Sequence, residues 1–355
     1  MAPRTATDMD FLAANIHGRR SHMAEAERLD DLCRIRSVAE LARVLFPEAG
    51  IFTAVELQRR LVLDIVGELT SIAGHVGGAG GRLFDWLCVR FQVENLKVLA
   101  RAFSSSMSVP DVLPHLIPLK GDLAMRAEPF LAAGSVEAFA ALLPSEVLSE
   151  SVLRLAAAPY ARHPRPFYIE AALDHGYLTE LLARTRALPS AARSGVLEIA
   201  RQETGIFHLA LAARGRLTYQ VKAEDLAPFI IWRSGVARAD VLRMLASADL
   251  AELAARAVGH AIDAAPAFLR GPAGPGRAAD PSVLEALSWN RFYRVANRAF
   301  RRSHMGLGAV VAYASIRRVE VANLISLSEG IRAGAAPEVI RRRLIPRQDI
   351  EGAHV

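Results

Sequence analysis

A polar residue on the apolar face of a helix recurs three times along this chain of 355 residues. The stretch Arg318 to Gly334 has the apolar period of an α-helix, and Asn323 stands within its apolar face. Asn95 and His208 occupy the same kind of position 113 residues apart, and Asn323 follows His208 after 115 residues. A leucine comes directly after each of them. Because internal repeats decide an architecture, this pattern predicts three copies of one helical unit.

A glutamate provides a second marker with nearly the same period. Glu56, Glu170 and Glu285 are separated by 114 and 115 residues, and each stands at the start of an apolar-periodic stretch. Two independent markers with a period of about one third of the chain favour three small domains, since the repeats of common solenoids are shorter. An arginine also lies six residues after the first two polar markers, at Arg101 and Arg214.

Breaks in the apolar period predict the boundaries of these domains. The predicted parts are a disordered tail (1–10), a first helical repeat (11–125), a second (126–235) and a third (236–355). Within the third repeat, residues 265–281 hold four prolines and three glycines, which predicts an exposed loop. Residues 108–118 hold three prolines and are predicted to be a linker.

Capping boxes predict where several helices begin. Ser37, Thr53 and Ser282 are each followed three residues later by a glutamate, the arrangement in which two side chains satisfy the first backbone N–H groups of a helix. Alternating apolar and polar runs rich in β-branched residues, the signature of strands, are not found. The fold class predicted from these patterns is all-α.

Composition argues against several classes of function. The net charge is +6, but aromatic residues make up only 6% and the arginines are scattered, which argues against a nucleic-acid binder. No uncharged apolar run approaches the roughly 18 residues that span a bilayer, and the first residues do not resemble a signal peptide, so we expect a cytosolic protein without a membrane span. Cys33 and Cys88 are isolated and are expected to be buried thiols.

No motif of a catalytic, cofactor or metal site emerges from the sequence. The glycine-rich stretch 74–82 lacks the Lys-Ser/Thr of a phosphate-binding loop, so it is interpreted as a turn between helices. The polar markers have two interpretations. They are either core residues that bond a backbone group of a neighbouring segment, which we prefer, or parts of an inner surface facing a partner. Arg101 and Arg214 could line that same surface, although exposed arginines are the default.

The C-terminal part of the chain carries a recognisable series of motifs. An apolar helix that contains a tyrosine leads into Glu-x-x-Asn-Leu, then a glycine-rich end and a short Pro-Glu-led helix. These parts are, in order, Leu307–Tyr313, Glu320–Leu324, Gly330 with Gly334, and Pro337–Arg341. The series resembles the signature of the V-type/A-type ATPase central-stalk subunit called C or d. The first repeat, from Glu94 to Ala102, resembles an earlier motif of the same family.

The chain departs from that family at four positions. Where the family has an acidic residue three before the polar marker, the chain has Gln92 and Gly205. His208 replaces an asparagine, and Ile331 stands where the family usually has lysine. The resemblance is therefore that of a divergent member.

The resemblance implies an all-helical, funnel-shaped protein with three similar domains about a pseudo-threefold axis. It implies a subunit without an active site or cofactor, peripheral on the cytoplasmic face of the membrane. Its partners would be the rotor-shaft subunits of the ATPase headpiece and the membrane proteolipid ring, and its role would be to couple the two for proton or sodium transport. No nucleic-acid partner is implied.

Three rival hypotheses make different predictions. A stand-alone helical adaptor would be a stable monomer with no genes of a rotary ATPase nearby. A nucleic-acid binder would bind in a way that weakens steeply with salt. A helical enzyme would need a polar pocket.

Overall fold

The computed structural model describes residues 9–48, 50–51, 53–232, 234–266 and 281–346. Most of these residues are helical and none of them forms a strand; the one bridge among them joins Val258 and Ile262. The prediction of an all-α fold is therefore confirmed. Residues 1–8 of the predicted tail and 267–280 of the predicted loop lie outside the described part, and the first helix already begins at Met9.

Eighteen α-helices are distributed along the described residues. In the first half of the chain they are α1 (Met9–Arg20), α2 (Ala26–Leu32), α3 (Val38–Leu45), α4 (Ala54–His75), α5 (Gly78–Ser105), α6 (Val109–Val112), α7 (Glu128–Leu131), α8 (Val136–Ala141), α9 (Glu146–Leu155) and α10 (Ala157–Arg162). In the second half they are α11 (Pro166–Arg186), α12 (Ser190–Ala210), α13 (Ala223–Leu226), α14 (Arg238–Leu245), α15 (Leu250–Ala257), α16 (Ser282–Ser303), α17 (Leu307–Arg332) and α18 (Pro337–Arg341).

Four segments of other helical types complete the series. Leu113–His115, Gly121–Leu123 and Ala227–Phe229 are 3₁₀ turns. Leu211–Thr218 is a π-helix that continues α12 without a break.

Two of the predicted helix starts are capped by the expected residues, and one of them has both bonds of the capping box. At α3 the Ser37 side chain accepts a hydrogen bond from the Glu40 N–H at 3.2 Å. At α4 both halves of the capping box are present, since Thr53 Oγ1 accepts from the Glu56 N–H at 3.2 Å and Glu56 accepts from the Thr53 N–H at 3.0 Å. The third helix, α16, begins at Ser282.

The chain divides into two compact units. The first comprises Met1–Phe84, Leu188–Ile199 and Ala286–Val355, and the second comprises Asp85–Ala187 and Ala200–Glu285. In the first unit α17 packs lengthwise against α4, and α1 and α3 also contact α17. Buried leucines at Leu57 and Leu61 of α4, and at Leu324 and Leu327 of α17, belong to this core. Apolar side chains at these helical spacings bury a stripe from each helix, which is what stabilises both.

The second unit is built around α11, which packs on α9 with α8 and α10 beside it. Fourteen of the 21 residues of α11 are buried, so this helix is surrounded on most sides. The helix α5 contacts it through Trp86, whose indole N–H donates to the Tyr177 carbonyl at 2.9 Å and whose ring stacks on the Tyr177 ring.

The predicted turn between helices is present but covers only Val76 and Gly77, since the rest of the glycine-rich stretch is helical. Helix α4 ends at His75 and α5 begins at Gly78, whose φ of +60° is strained for any other residue. By contrast, the prediction of a linker over residues 108–118 was wrong. That segment contains α6 and a 3₁₀ turn, and Val112 within it is fully buried.

Among the described helices, none combines the length and the apolar character that crossing a bilayer requires.

Candidate functional site

Asn95 and Asn323 each bind the backbone of an isoleucine that follows 22 residues later. Asn95 Nδ2 donates to the Ile117 carbonyl at 2.8 Å, and Asn95 Oδ1 accepts from the Ile117 N–H at 2.8 Å. Asn323 does the same with Ile345, at 2.6 and 2.8 Å. A side-chain amide has one donor side and one acceptor side, so it satisfies both backbone groups of one residue. We call this paired arrangement the amide clamp.

His208 makes half of the same clamp. Its Nε2 accepts a hydrogen bond from the N–H of Ile231, 23 residues later, at 3.1 Å. The acceptor role of Nε2 puts the ring proton on Nδ1, and none of the described residues accepts a hydrogen bond from Nδ1. Burial lowers the pKa of His208 to about 3, with a smaller contribution from His175, so the ring is neutral at ordinary pH. The three polar markers thus share one role, binding the segment that follows their helix.

All three marker helices, α5, α12 and α17, end in the same way. Each is followed by one residue in the left-handed region: Ser106 (φ 53°), Gln220 (φ 55°) and Gly334 (φ 67°). After α5 and α17 the next N–H bonds a carbonyl five residues back, as in a Schellman ending. After the π-helix the corresponding bond, from Val221 to Gly215, spans six residues. In all three cases a single left-handed residue therefore lies between the helix and the segment that the clamp binds.

The π-helix explains why the marker spacings are unequal. The three left-handed residues are 114 residues apart in both steps, and so are Ile117, Ile231 and Ile345. The polar markers deviate from this spacing, at 113 and 115, and His208 lies upstream of the π-helix. A π-helical segment accommodates an extra residue within a helix. The second copy thus has one additional residue between His208 and Gln220.

The glutamate markers, in contrast, have different surroundings. Glu56 and Glu285 are exposed in the first turns of α4 and α16. Glu170 is buried in α11, where it bonds Arg101 through Nε–Oε1 at 2.6 Å and Nη2–Oε2 at 3.2 Å. Arg214 Nη2 lies 3.8 Å from the same carboxylate. The structure thus brings Glu170 together with Arg101 and Arg214. The other two glutamate markers, Glu56 and Glu285, are exposed to solvent.

The cluster of Arg101, Glu170 and Arg214 pairs one buried carboxylate with two half-exposed guanidinium groups. The side chain of Glu170 is 8% exposed, whereas those of Arg101 and Arg214 are 53% and 51% exposed. The hydrogen bond that Arg101 donates to Glu170 raises the pKa of Arg101. Burial of a carboxylate requires such partners, because an unpaired buried charge is strongly unfavourable.

A second ion-pair network lies in the other unit around Arg317. This arginine of α17 bonds Asp64 at 2.6 Å, Glu68 at 3.0 Å and Glu320 at 2.5 Å. The hydroxyl of Tyr313 also donates to Glu68. Burial acts to raise the pKa of Glu68, but hydrogen bonds from Tyr313 and Arg317 lower it below its usual value. For Glu320, burial dominates and raises the pKa.

Glu320 also joins the N-terminal segment to α17, since its Oε1 accepts from the Ala24 N–H at 2.5 Å. The equivalent residue in the second repeat is Gly205, where a Cβ atom would lie 2.9 Å from the His260 carbonyl oxygen. A side chain at this position would therefore require the His260 segment to move. In the first repeat, Gln92 Nε2 donates to the Leu123 carbonyl at 3.3 Å.

Each of the three helices with a polar marker contacts a helix with a glutamate marker, and the two helices belong to different predicted repeats. Helix α5 contacts α11, and Arg90 of α5 bonds Asp174 of α11 at 2.9 Å. Helix α12 contacts α16, where a Cβ at Gly195 would lie 3.4 Å from the Ala299 Cβ. Helix α17 packs on α4. In terms of the predicted repeats, the pairs join one and two, two and three, and three and one.

No group of three or more potential metal ligands is found in the described residues. Cys33 and Cys88 are buried and not bonded to each other, as the prediction of buried thiols required.

Sequence reasoning missed the isoleucines of the clamps. Their equal spacing, together with the Ile-Pro pairs at 117–118 and 345–346, was a signal that could have found them.

Comparison with known proteins identifies the family. A model of the family described as ATP synthase (C/AC39) subunit matches residues 12–343. Among curated proteins, none shows a significant match to the chain. The matched range includes all three polar markers and their helices. The chain belongs to the ATP synthase C/AC39 subunit family.

Proposed function

We propose that this protein is the non-catalytic central-stalk socket of a rotary V/A-type ATPase. In this role it couples the rotor shaft of the headpiece to the membrane proteolipid ring during proton or sodium transport. The family match over residues 12–343 is the observation that carries the proposal. The protein would work peripherally on the cytoplasmic face of the membrane, with no active site of its own.

The clamps support a role in transmitting force. A coupling part has to keep its shape under load, and close-packed helices have low compressibility. Helix ends are the weakest points of such a scaffold, since their last backbone groups lack partners within the helix. In this protein the segment after each marker helix is bonded back to that helix by Asn95, His208 or Asn323.

The helix pairs support the proposal that three repeats are arranged about a pseudo-threefold axis. The helix with the polar marker of each repeat contacts the helix with the glutamate marker of the next repeat. The same relation connects the third repeat with the first, so the series of contacts is closed. A linear array would leave the first and last repeats unpaired. We therefore retain the three repeats at 11–125, 126–235 and 236–355 as the units of the proposed arrangement.

Co-purification from native membranes tests the proposal. The tagged chain, expressed in its source organism and isolated in mild detergent, is expected to bring down shaft, headpiece and proteolipid-ring subunits together. Membranes that lack the protein are expected to hydrolyse ATP without pumping ions, and the wild-type chain should restore pumping.

A stand-alone adaptor makes the opposite prediction. It would be recovered as a free monomer from the soluble fraction, and its removal would leave ATP-driven ion pumping unchanged. Either result would exclude the role of a coupling subunit.

A further inference from the structure

The Arg101–Glu170–Arg214 cluster has an excess of positive charge held in fixed positions. One carboxylate is shared by two guanidinium groups, and both are half exposed. A guanidinium carries five N–H donors, and the contacts with Glu170 use only some of them. The remaining donors on the exposed sides of Arg101 and Arg214 are available to a second anion.

An open cleft lies one helical turn away from the cluster. It is lined by Arg165, Phe167 and Tyr219, together with neighbouring residues of the same two segments. Glu170 follows Phe167 by one turn of α11, and Arg214 precedes the cleft residue Thr218 by one turn of the π-helix. Arg165 is held in place by a hydrogen bond to the Tyr219 carbonyl at 2.6 Å. A third cation therefore stands at the rim of the cleft.

Two aromatic side chains are among the residues that line the cleft. The rings of Phe167 and Tyr219 lie 5.1 Å apart, and the Arg165 guanidinium lies 5.9 Å from the centre of the Tyr219 ring. Aromatic residues and arginines together are the side chains enriched in the centres of protein interfaces. The cleft thus offers an apolar surface beside a cationic one.

The π-helix is an independent sign of function at this place. A π-helical segment is less favourable than an α-helix, and such segments are found frequently at functional sites. Here it carries Arg214 and ends at Thr218, beside Tyr219 at the cleft. The asparagine clamps of the other two repeats form without such a segment, so the extra residue is not required for a clamp.

We propose that the cluster and the adjoining cleft form a docking site for an acidic segment of a partner protein. A carboxylate of the segment binds between Arg101 and Arg214, and an apolar neighbour enters the cleft against Tyr219. The site is open, so a small free anion would remain largely hydrated, whereas a protein segment brings several contacts at once. The net charge of +6 favours approach of an acidic partner. The inference rests on the proposed function insofar as the partner is a subunit of the rotary complex.

A peptide assay tests the site without the complex. The probe is a fluorescent peptide of alternating glutamate and leucine, and binding to the full chain is followed by anisotropy at low salt. Arg214→Gln is expected to weaken binding about tenfold, since it removes a charge-assisted contact. Its thermal stability should stay close to wild type, because Arg214 is the more distant partner of Glu170.

The matched control is Arg243→Gln, a half-exposed arginine of the same unit that pairs with Asp240. It removes the same charge and should change binding less than twofold. Glu170→Gln should bind the peptide at least as tightly as wild type, because both arginines are then released from the carboxylate.

Three results would overturn the proposal. They are the absence of peptide binding at low salt, equal losses with Arg214→Gln and Arg243→Gln, and a loss with Glu170→Gln as large as that with Arg214→Gln. Displacement of the peptide by millimolar phosphate at constant ionic strength would assign the site to a free anion instead. Since none of these measurements involves the ATPase, failure of the docking site is distinguishable from failure of the coupling role.

Discussion

Asn323 and Ile345 exchange two hydrogen bonds, one in each direction, between a side-chain amide and both backbone groups of one residue. The bond lengths are 2.6 and 2.8 Å, and the Asn323 side chain is buried. The relationship is repeated by Asn95 with Ile117. The clamps locate the parts of the structure where single substitutions should have large and interpretable effects.

Asn323→Ala is expected to lower the free energy of unfolding by about 2–4 kcal/mol, since it leaves both backbone groups of Ile345 without their partner. Hydrogen exchange at the Ile345 amide should accelerate, because the segment can then open locally. Asn15→Ala, at an exposed position of α1, serves as the control and should stay within about 0.5 kcal/mol of wild type. Unchanged exchange at Ile345 would show that the clamp does not hold the segment.

Two buried histidines should make the protein sensitive to acid. Burial lowers the pKa of His208 to about 3 and that of His175 to about 4, from 6.5 in the unfolded chain. The unfolded state therefore binds more protons below pH 6.5, and stability is lost as the pH falls from there toward the folded values. Each histidine contributes up to about 1.4 kcal/mol per pH unit in that window.

His208→Gln should reduce this slope while preserving stability at neutral pH. The glutamine side chain can present an oxygen near the position of Nε2, so the bond to the Ile231 N–H is retained without a titrating group. Urea unfolding from neutral pH down to about 5 measures the slope. His115→Gln, at an exposed histidine of the same unit, should leave it unchanged. If both variants keep the wild-type slope, another group causes the acid sensitivity.

Arg317→Gln should be among the most destabilising substitutions in the chain. It removes the shared partner of Asp64, Glu68 and Glu320, and loss of one partner from a buried ion pair costs about 3–5 kcal/mol. Arg332→Gln removes an arginine from an exposed pair with Glu329, where screening by solvent should make the loss of stability much smaller. Thermal unfolding of the two variants side by side distinguishes the outcomes, and equal shifts would contradict the importance of the network.

Gly205→Ala should destabilise the protein although alanine is the better helix former. A Cβ at this position lies 2.9 Å from the backbone oxygen of His260, so the segment has to move, at a cost of about 1–3 kcal/mol. Gly67→Ala, at an exposed position in the middle of α4 with open space around it, should stabilise by up to about 1 kcal/mol. Opposite signs in a denaturant titration are the expected result.

Much of the helical organisation could be predicted from the sequence. Apolar periodicity and capping residues such as Ser37 and Thr53 act within a few residues, so local patterns predict helix starts well. The role of Asn95 as a core residue that bonds the backbone also follows from a general rule, since buried amides need partners. What could not be predicted is the identity of those partners, because they lie beyond the helix in a proline-containing segment that resembles a linker.

The ion-pair partners were beyond local reasoning for a similar reason. Glu170 and Glu285 look alike in sequence, since each stands at the start of an apolar-periodic stretch. One is buried between two arginines and the other is exposed. The difference depends on which helix packs beside each of them, and that is decided by tertiary contacts.

The extra residue within the π-helix has a consequence for the symmetry of the whole. A π-helical segment accommodates the added residue, and His208 upstream of it still accepts from the Ile231 N–H as the asparagines accept from their isoleucines. The second repeat therefore keeps the clamp contact but differs from the other two over Leu211–Thr218. If the three repeats surround an axis as proposed, a partner lacking threefold symmetry meets three surfaces that are not equivalent, and it can bind preferentially at one of them.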